Sequence, residues 1–294
     1  MNCFLKNEFL EVTVKTLGAE LMSVKNLSDG VEYIWQGDAK YWEDRSPVCF
    51  PVCSSFFEGK YTHEGKTYEM GLHGFAQYTE FEVISSTDTQ LILKIEATDQ
   101  TRAQYPFDFE LVLTYTLDGR ELVCLANIKN TSDTVMPVTF GAHPGFNTPF
   151  TAGTCDFEDF YLEFDTPCKP YHRPIDKVTY FLTGERLPLE LENDKILRLR
   201  HDMFIPDGIF CEQTAKRVTL KSDKDPRSIT VRFDDMDYFG IWQEYGTDTP
   251  FICLEPWCAP PDNHGVPQEL NERAALFKLE PNEEKTVSYS ILFN

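Results

Sequence analysis

The chain has 294 residues, of which 41% are hydrophobic and 14% aromatic, so it can bury a sizeable core and intrinsic disorder is excluded. Its 27 Lys and Arg stand against 48 Asp and Glu, and the net charge of -21 repels nucleic acid and anionic membrane surfaces. The partner that this charge favours is a neutral small molecule.

Short runs of alternating or continuously apolar residues, separated by turn residues, recur along the whole chain and predict strands. In chain order the predicted strands are Leu10–Val14, Val31–Trp35, Gln90–Ile95, Phe107–Leu117, Glu121–Ile128, Met136–Phe140, Lys177–Leu182, Ile196–Arg200, Arg217–Lys221, Ser228–Phe233, Tyr238–Glu244, Phe251–Leu254, Ala275–Leu279 and Thr286–Phe293. Helical turns are expected only at Asp38–Asp44 and Glu158–Tyr161. We therefore predict an all-β fold, a large antiparallel β-sandwich, with residues 1–294 forming a single domain.

Several familiar functional signatures are absent from the sequence. It contains no Gly-rich phosphate loop, no Gly-x-Ser-x-Gly elbow and no His-Glu-x-x-His motif. Its nine cysteines lack the tight pairs of a structural zinc site, so reduced thiols and no metal are expected. The first residues do not resemble a targeting signal, and no run approaches ~20 apolar residues. A cytoplasmic protein with no membrane segment is predicted.

Two histidines and one glutamate stand beside aromatic and turn-forming residues. His73 and His143 each lie in a glycine-containing turn with a phenylalanine close by, and Glu255 ends an apolar strand immediately before Pro256 and Trp257. Imidazole suits proton transfer near neutral pH, and a partly desolvated carboxylate gains a pKa useful for a general base. Taken singly, each residue also fits a structural role. A cysteine–histidine nucleophile stays open on spacing alone.

The remaining histidines, His63, His172, His201 and His264, lie in polar, charged or proline-containing stretches, and we predict that they are solvated. Aromatic rings offer apolar faces to a ligand, which makes Trp257 and Trp242 candidate platforms.

These motifs, in their order and spacing, resemble the aldose 1-epimerase (galactose mutarotase) family, and more closely its LacX-like branch, over nearly the whole length. The segments that carry the resemblance are Gly18–Leu21, Trp42–Pro51, Lys60–Tyr68, His73–Ala76, His143–Phe146, Cys253–Trp257 and Leu279–Pro281.

The resemblance implies a β-sandwich that binds a free sugar in an open cleft without metal or organic cofactor, as a monomer or homodimer. It implies that Glu255 is the general base at the anomeric hydroxyl and that His143 is the general acid at the ring oxygen. By the same resemblance His73 holds a sugar hydroxyl or the ring oxygen, and Asp207 accepts sugar hydroxyls.

Two positions depart from the family pattern. Ser55 and Gln77 stand where relatives commonly carry arginine, which leaves Arg45 as the basic residue expected near the site and Gln77 as a polar contact. The leading prediction is a cofactor-independent mutarotase acting on an unphosphorylated aldose. Its alternatives are a hexose-6-phosphate mutarotase, which needs a basic pocket around Arg45 or Lys60, and a carbohydrate-binding protein that has lost turnover.

Overall fold

Strands follow one another along the whole chain in the computed structural model, which describes residues 1–179, 181–244, 248–263 and 269–294. The strands are β1 (Asn2–Lys6), β2 (Leu10–Lys15), β3 (Glu20–Asn26), β4 (Val48–Cys49), β5 (Lys60–His63), β6 (Lys66–Glu69), β7 (Glu82–Ser86), β8 (Gln90–Glu96), β9 (Phe109–Asp118), β10 (Glu121–Asn130), β11 (Met136–Val138), β12 (Gly141–Ala142), β13 (Gly145–Asn147), β14 (Phe160–Phe164), β15 (Tyr171–Arg173), β16 (Leu187–Pro188), β17 (Ile196–Arg198), β18 (Ile209–Glu212), β19 (Arg217–Ser222), β20 (Asp225–Arg232), β21 (Tyr238–Trp242), β22 (Phe251–Trp257), β23 (Phe277–Leu279) and β24 (Glu284–Phe293). Helical structure in these ranges consists of α1 (Asp99–Gln104) and 3₁₀ turns at Phe57–Gly59, Ala76–Tyr78, Phe157–Asp159, His201–Phe204 and Leu270–Glu272.

Two large antiparallel sheets form the body of the molecule. The first has nine strands in the order β17-β14-β19-β20-β24-β10-β9-β8-β7. The second has eight, in the order β16-β15-β18-β21-β22-β12-β4, with β13 also pairing with β22. A three-stranded sheet β1-β2-β3 and the two-stranded pairs β5-β6 and β11-β23 complete the fold.

The core lies between the two large sheets. Along β9 every second residue is buried, which is the period of a strand with one face on a core. Leu111 and Leu113 from this strand share one apolar cluster with Ile252 and Leu254 from β22. The predicted all-β sandwich is therefore confirmed. The same cluster includes both Leu5 and Phe293, as a single domain over 1–294 requires, although that domain assignment stays a prediction.

Strand β22 is buried on both faces along its whole length. Ile252 and Leu254 point into the core between the sheets, whereas Cys253 and Trp257 belong to separate small clusters on the other face. Because side chains alternate along a strand, Glu255 lies on the same face as Cys253 and Trp257. The face of the eight-stranded sheet that turns away from the core is thus also covered, and the functional residues collect there.

Most predicted strands are confirmed within a few residues at their ends, but two are wrong. Val31–Trp35 forms only isolated bridges, among them one between Ile34 and Phe146. The described part of Lys177–Leu182 is a turn followed by a bridge between Leu182 and Asn263, and Tyr180 lies outside the described residues. No helix in the described ranges is long and apolar enough to cross a membrane.

Candidate active site

An open cleft of about 340 Å³ lies over the outer face of the eight-stranded sheet, a size that suits a small-molecule ligand. It is lined by Trp42, Asp44, Pro47, Ser54, Leu72, His73, Gln77, Tyr78, His143, Asp207, Phe210, Trp242, Glu244, Glu255 and Trp257. Six of the seven residues predicted for the site line this cleft, and Arg45 does not. His264 lies outside the described residues.

Glu255 forms part of the cleft floor. Its side chain is only 1% exposed, and neither carboxylate oxygen has a hydrogen-bond partner in the part of the chain that the structure describes. Burial, and after it the charges of Asp207 and Cys53, raise the pKa of this carboxyl well above its usual range. Gly240 faces it on β21, and a Cβ there would lie 3.0 Å from Oε2. The glycine therefore leaves the room that the carboxylate occupies.

His143 lies in the turn between β12 and β13, two short strands that both pair with β22. Its backbone N–H donates to the Pro47 carbonyl, which fixes the turn against the strand segment before β4. The ring packs between Trp42 and Trp242, with centroid distances of 5.1 and 5.5 Å. Its Nε2 lies 3.3 Å from Glu255 Oε1, and desolvation lowers the pKa of His143 to about 4.

His73 is held in an uncommon backbone conformation, with φ at 60°, which for a residue other than glycine marks local strain. Its backbone N–H donates to the Ser54 carbonyl, and the Ser54 N–H donates to Nδ1 at 3.0 Å. Nδ1 is therefore an acceptor, so the neutral ring carries its proton on Nε2. Burial, followed by the charges of His143 and Arg273, holds the pKa of His73 well below its usual value.

Arg273 holds the segment that bonds His73, since it bonds Cys53 and the next residue, Ser54, bonds His73. Sequence reasoning missed Arg273. Its guanidinium is buried, lies over the Phe56 ring and donates from Nη2 to the Cys53 carbonyl at 2.7 Å. Asp262 lies 3.0 Å from its Nε and compensates the charge. A single arginine in a polar loop carries no sequence signal for this role, because its partners are far away in the chain.

Three other predicted residues also lie in the cleft. Asp207 is largely buried, its carboxylate accepts from the Gly208 N–H, and burial raises its pKa. Gln77 donates its side-chain amide to the Leu72 carbonyl at 2.7 Å. Trp257 is 1% exposed and meets His73 edge-on at 5.4 Å.

The cleft contains the predicted platform Trp242 and also Trp42, Asp44 and Glu244, which the sequence did not indicate. Trp42 and Trp242 are more exposed than Trp257 and stand edge to face at 5.4 Å, so they offer more ring surface to a sugar. Asp44 and Glu244 add carboxylates, and burial raises the pKa of both. The spacing of an aromatic or an acid in a loop does not reveal that it faces a cleft.

The expectation for Arg45 is not met. Its guanidinium donates to the Met22 carbonyl and to Gln36 Oε1, both at 2.8 Å, and it turns away from the cleft. Lys60 lies in β5 and pairs with Glu69 at 3.7 Å. Among the described residues, none of those lining the cleft is Lys or Arg.

The prediction that the other histidines are solvated is wrong for His63, which is 9% exposed and lies 3.3 Å from Glu269. His201 is also only partly exposed, because it stacks on Phe157 with ring centroids 4.4 Å apart and pairs with Gln243.

Fold and cleft together define a β-sandwich protein of the galactose mutarotase-like class. The structure of a galactose mutarotase related enzyme from Lactobacillus acidophilus superposes with a TM-score of 0.94 at 29% identity, covering 100% of this chain and 97% of that one. A galactose mutarotase-like protein from Lactobacillus casei gives a TM-score of 0.93 at 26% identity, with 100% of both chains covered.

The sequence comparisons name the family. The chromosomal LacX protein of Lactococcus lactis subsp. lactis is 32% identical over 299 aligned positions, which cover 99% of each chain. The family model for aldose 1-epimerase matches residues 3–292. The chain belongs to the aldose 1-epimerase family, as the sequence motifs predicted.

Proposed function

We propose that this protein interconverts the α and β anomers of an unphosphorylated aldose, with Glu255 and His143 as its acid–base pair. The observation that carries the proposal is the 3.3 Å separation of His143 Nε2 and Glu255 Oε1 on the floor of an open cleft. Both side chains are buried, so water competes little for their lone pairs and protons.

Ring opening needs one proton removed and one proton delivered. Glu255 takes the proton of the anomeric hydroxyl, the C1–O1 bond becomes a carbonyl, and the bond between C1 and the ring oxygen breaks. His143 delivers a proton to that oxygen, rotation about C1–C2 exposes the other carbonyl face, and the reverse transfers close the ring. The cycle returns every proton that it moves and leaves the oxidation state of C1 unchanged, so no redox partner is needed.

Burial favours the neutral form of both groups in the pair. Because burial raises the pKa of Glu255 and lowers that of His143, the proton of the pair rests on the carboxyl. A sugar hydroxyl that donates to Glu255 stabilises the carboxylate, and the proton can then cross to Nε2 of His143. Substrate binding thereby converts the pair into the base and acid that ring opening requires.

The remaining groups in the cleft suit a neutral sugar. Nε2–H of His73 is a fixed donor for a sugar oxygen, Asp207 is an acceptor, and Trp42 and Trp242 provide ring surface. The lining carries carboxylates and, within the described residues, no cationic side chain. This charge distribution disfavours a hexose 6-phosphate. A cytoplasmic location and a monomer or homodimer remain predictions.

The test is the rate of anomer exchange for freshly dissolved glucose, galactose and other aldoses, measured by polarimetry or NMR above the spontaneous rate. Glu255→Gln should lower kcat by roughly 10²–10⁴-fold, because glutamine cannot take the proton. Glu269→Gln is the matched control, since it changes another glutamate placed 3.3 Å from a histidine but outside the cleft.

Unchanged exchange in Glu255→Gln would remove the catalytic assignment. Sugar binding by the wild type without acceleration of any aldose would favour the carbohydrate-binding alternative.

A further inference from the structure

Three different metal-ligating side chains converge at the cleft floor and directly beneath it: His143 and Glu255 line the cleft, and the buried Cys253 lies next to them. The ligand atoms of His143, Cys253 and Glu255 all lie within 4.8 Å of one another, and all three residues are buried. Within the described part of the chain, this is the only group of three metal-ligating side chains whose ligand atoms lie this close together. They come from β22, where Cys253 and Glu255 share a face, and from the turn that pairs with it.

The spacing of the nitrogen and oxygen ligands already fits a tetrahedral ion. With metal–ligand distances of about 2.0 Å to nitrogen and oxygen, neighbouring ligand atoms of a tetrahedral Zn²⁺ lie about 3.3 Å apart. Nε2 of His143 and Oε1 of Glu255 are 3.3 Å apart. The Cys253 Sγ lies within 4.8 Å of both and needs a movement of about 1 Å to complete the third edge.

An independent observation points to a ligand at this place. Glu255 is 1% exposed, yet both of its oxygens lack a hydrogen-bond partner among the residues the structure describes. Buried polar atoms in folded proteins almost always have partners, so an unpartnered carboxyl facing a cleft marks a place that something else satisfies. The sugar hydroxyl of the proposed reaction is one such group, and a cation is another.

We propose that His143, Cys253 and Glu255 form an inhibitory site for a borderline-soft divalent cation, of which Zn²⁺ is the representative. An imidazole, a thiolate and a carboxylate select Zn²⁺ or Co²⁺ over the hard ions Mg²⁺ and Ca²⁺, which prefer oxygen ligands. The cleft leaves the fourth position open to water. Binding forms three metal–ligand bonds and releases the Cys253 thiol proton to solvent, with no change of oxidation state.

The consequence for turnover rests on the proposed function. The cation occupies the lone pairs that Glu255 and His143 use on the sugar, so inhibition is competitive with the aldose. Asp207 and Glu244 in the same cleft favour entry of a cation through their negative potential. Cys253 takes no part in anomer exchange, so its removal separates metal binding from catalysis.

The experiment titrates Co²⁺ into the protein and follows the near-ultraviolet charge-transfer band of a cobalt–thiolate bond. One equivalent should produce the band in wild type and in the matched control Cys258→Ala, which alters another buried thiol. Cys253→Ala should lack the band, and Zn²⁺ should displace Co²⁺. In anomer exchange, Cys253→Ala should need at least ~10-fold more Zn²⁺ for half-inhibition, because it loses one of three ligands.

The outcomes are distinguishable from those of the proposed function. Absence of the band in wild type, or a band that persists in Cys253→Ala, overturns the metal site and leaves mutarotation untouched. Equal Zn²⁺ inhibition of wild type and Cys253→Ala overturns the inhibitory role. A protein that fails to exchange anomers but shows the Cys253-dependent band loses its proposed function and keeps the cation site.

Discussion

Two histidine–glutamate pairs in this protein have the same 3.3 Å separation but different surroundings. In the pair His63–Glu269 the carboxylate is 29% exposed and also lies 3.3 Å from the Glu64 N–H, and the histidine packs against Phe107. This pair joins β5 to a segment that lies more than 200 residues later in the chain.

In the pair His143–Glu255 the carboxylate is 1% exposed and has no hydrogen-bond partner in the described ranges. The histidines of the two pairs are equally buried, at 10% and 11% exposure, so the difference lies in the glutamate. A close imidazole and carboxylate make a tether when water and a backbone donor satisfy the acid. Such a pair is suited to catalysis when the carboxylate can gain a further hydrogen-bond partner only from a ligand bound in the cleft.

The strongest test replaces the two histidines in parallel. His143→Asn should lower kcat for anomer exchange by roughly 10²–10⁴-fold, because asparagine cannot deliver a proton to the ring oxygen. His63→Asn should leave kcat unchanged and cost about 1 kcal/mol of unfolding free energy, read by denaturant titration. Comparable losses of kcat in both variants would contradict the assignment of catalysis to the His143–Glu255 pair alone.

A third histidine, His73, allows the effect of proton transfer by the His143–Glu255 pair to be distinguished from the effect of ligand binding in the cleft. His73→Asn removes a fixed donor but no proton-transfer group, so kcat/KM should fall roughly 10–100-fold, mainly through KM. Steady-state kinetics over a range of sugar concentrations measures the two parameters. A loss in kcat as large as that of His143→Asn would move the acid role to His73.

The space around Glu255 can be altered without touching its charge. Gly240→Ala places a methyl group 3.0 Å from Oε2, and the resulting shift of the carboxylate should reduce kcat roughly tenfold. Gly71→Ala is the control, because its Cβ would meet nothing within 4 Å. Equal kinetics in the two variants would argue that the position of the carboxylate is not critical.

The smallest effect concerns pH. At pH values between its two titrations the pair His143–Glu255 holds one proton. The pair can then both accept a proton from the sugar and donate one to it. As pH falls through about 4, His143 takes up a second proton while Glu255 keeps its own, no base remains, and the catalysed rate should fall. Exchange rates corrected for the spontaneous reaction, with circular dichroism at each pH to monitor the fold, give the profile. An acid limb near pH 6.5 would contradict the desolvated state of His143.

The sequence was sufficient for the fold class and for the prediction that His73, His143 and Glu255 lie together in one cleft. Period-2 patterns identified strands such as β9. The His73, His143 and Glu255 motifs led to one cleft because two turns and strand β22 hold these residues. The sequence did not reveal which side chains of β22 face the core and which face the cleft, because both faces of the strand are buried.

The errors share a physical cause, which is contact between residues distant in the chain. Arg45 was expected near the site because Ser55 and Gln77 stand where relatives carry arginine, but the Met22 carbonyl and Gln36 determine where its guanidinium lies. His63 stands in a polar stretch and was predicted to be solvated, yet Glu269 covers it. Val31–Trp35 has the apolar residues of a strand but finds only isolated bridging partners.

Because β22 is both a core strand and the cleft floor, the floor of the cleft is constrained by packing in a way that its edge is not. Movement of Glu255 would require repacking Ile252 and Leu254 on the opposite face of the strand. The packing of the core therefore constrains the position of Glu255. Leu72 and Tyr78 stand exposed at the cleft edge. Substitutions at this edge can therefore alter which ligand fits the cleft while the position of Glu255 stays the same.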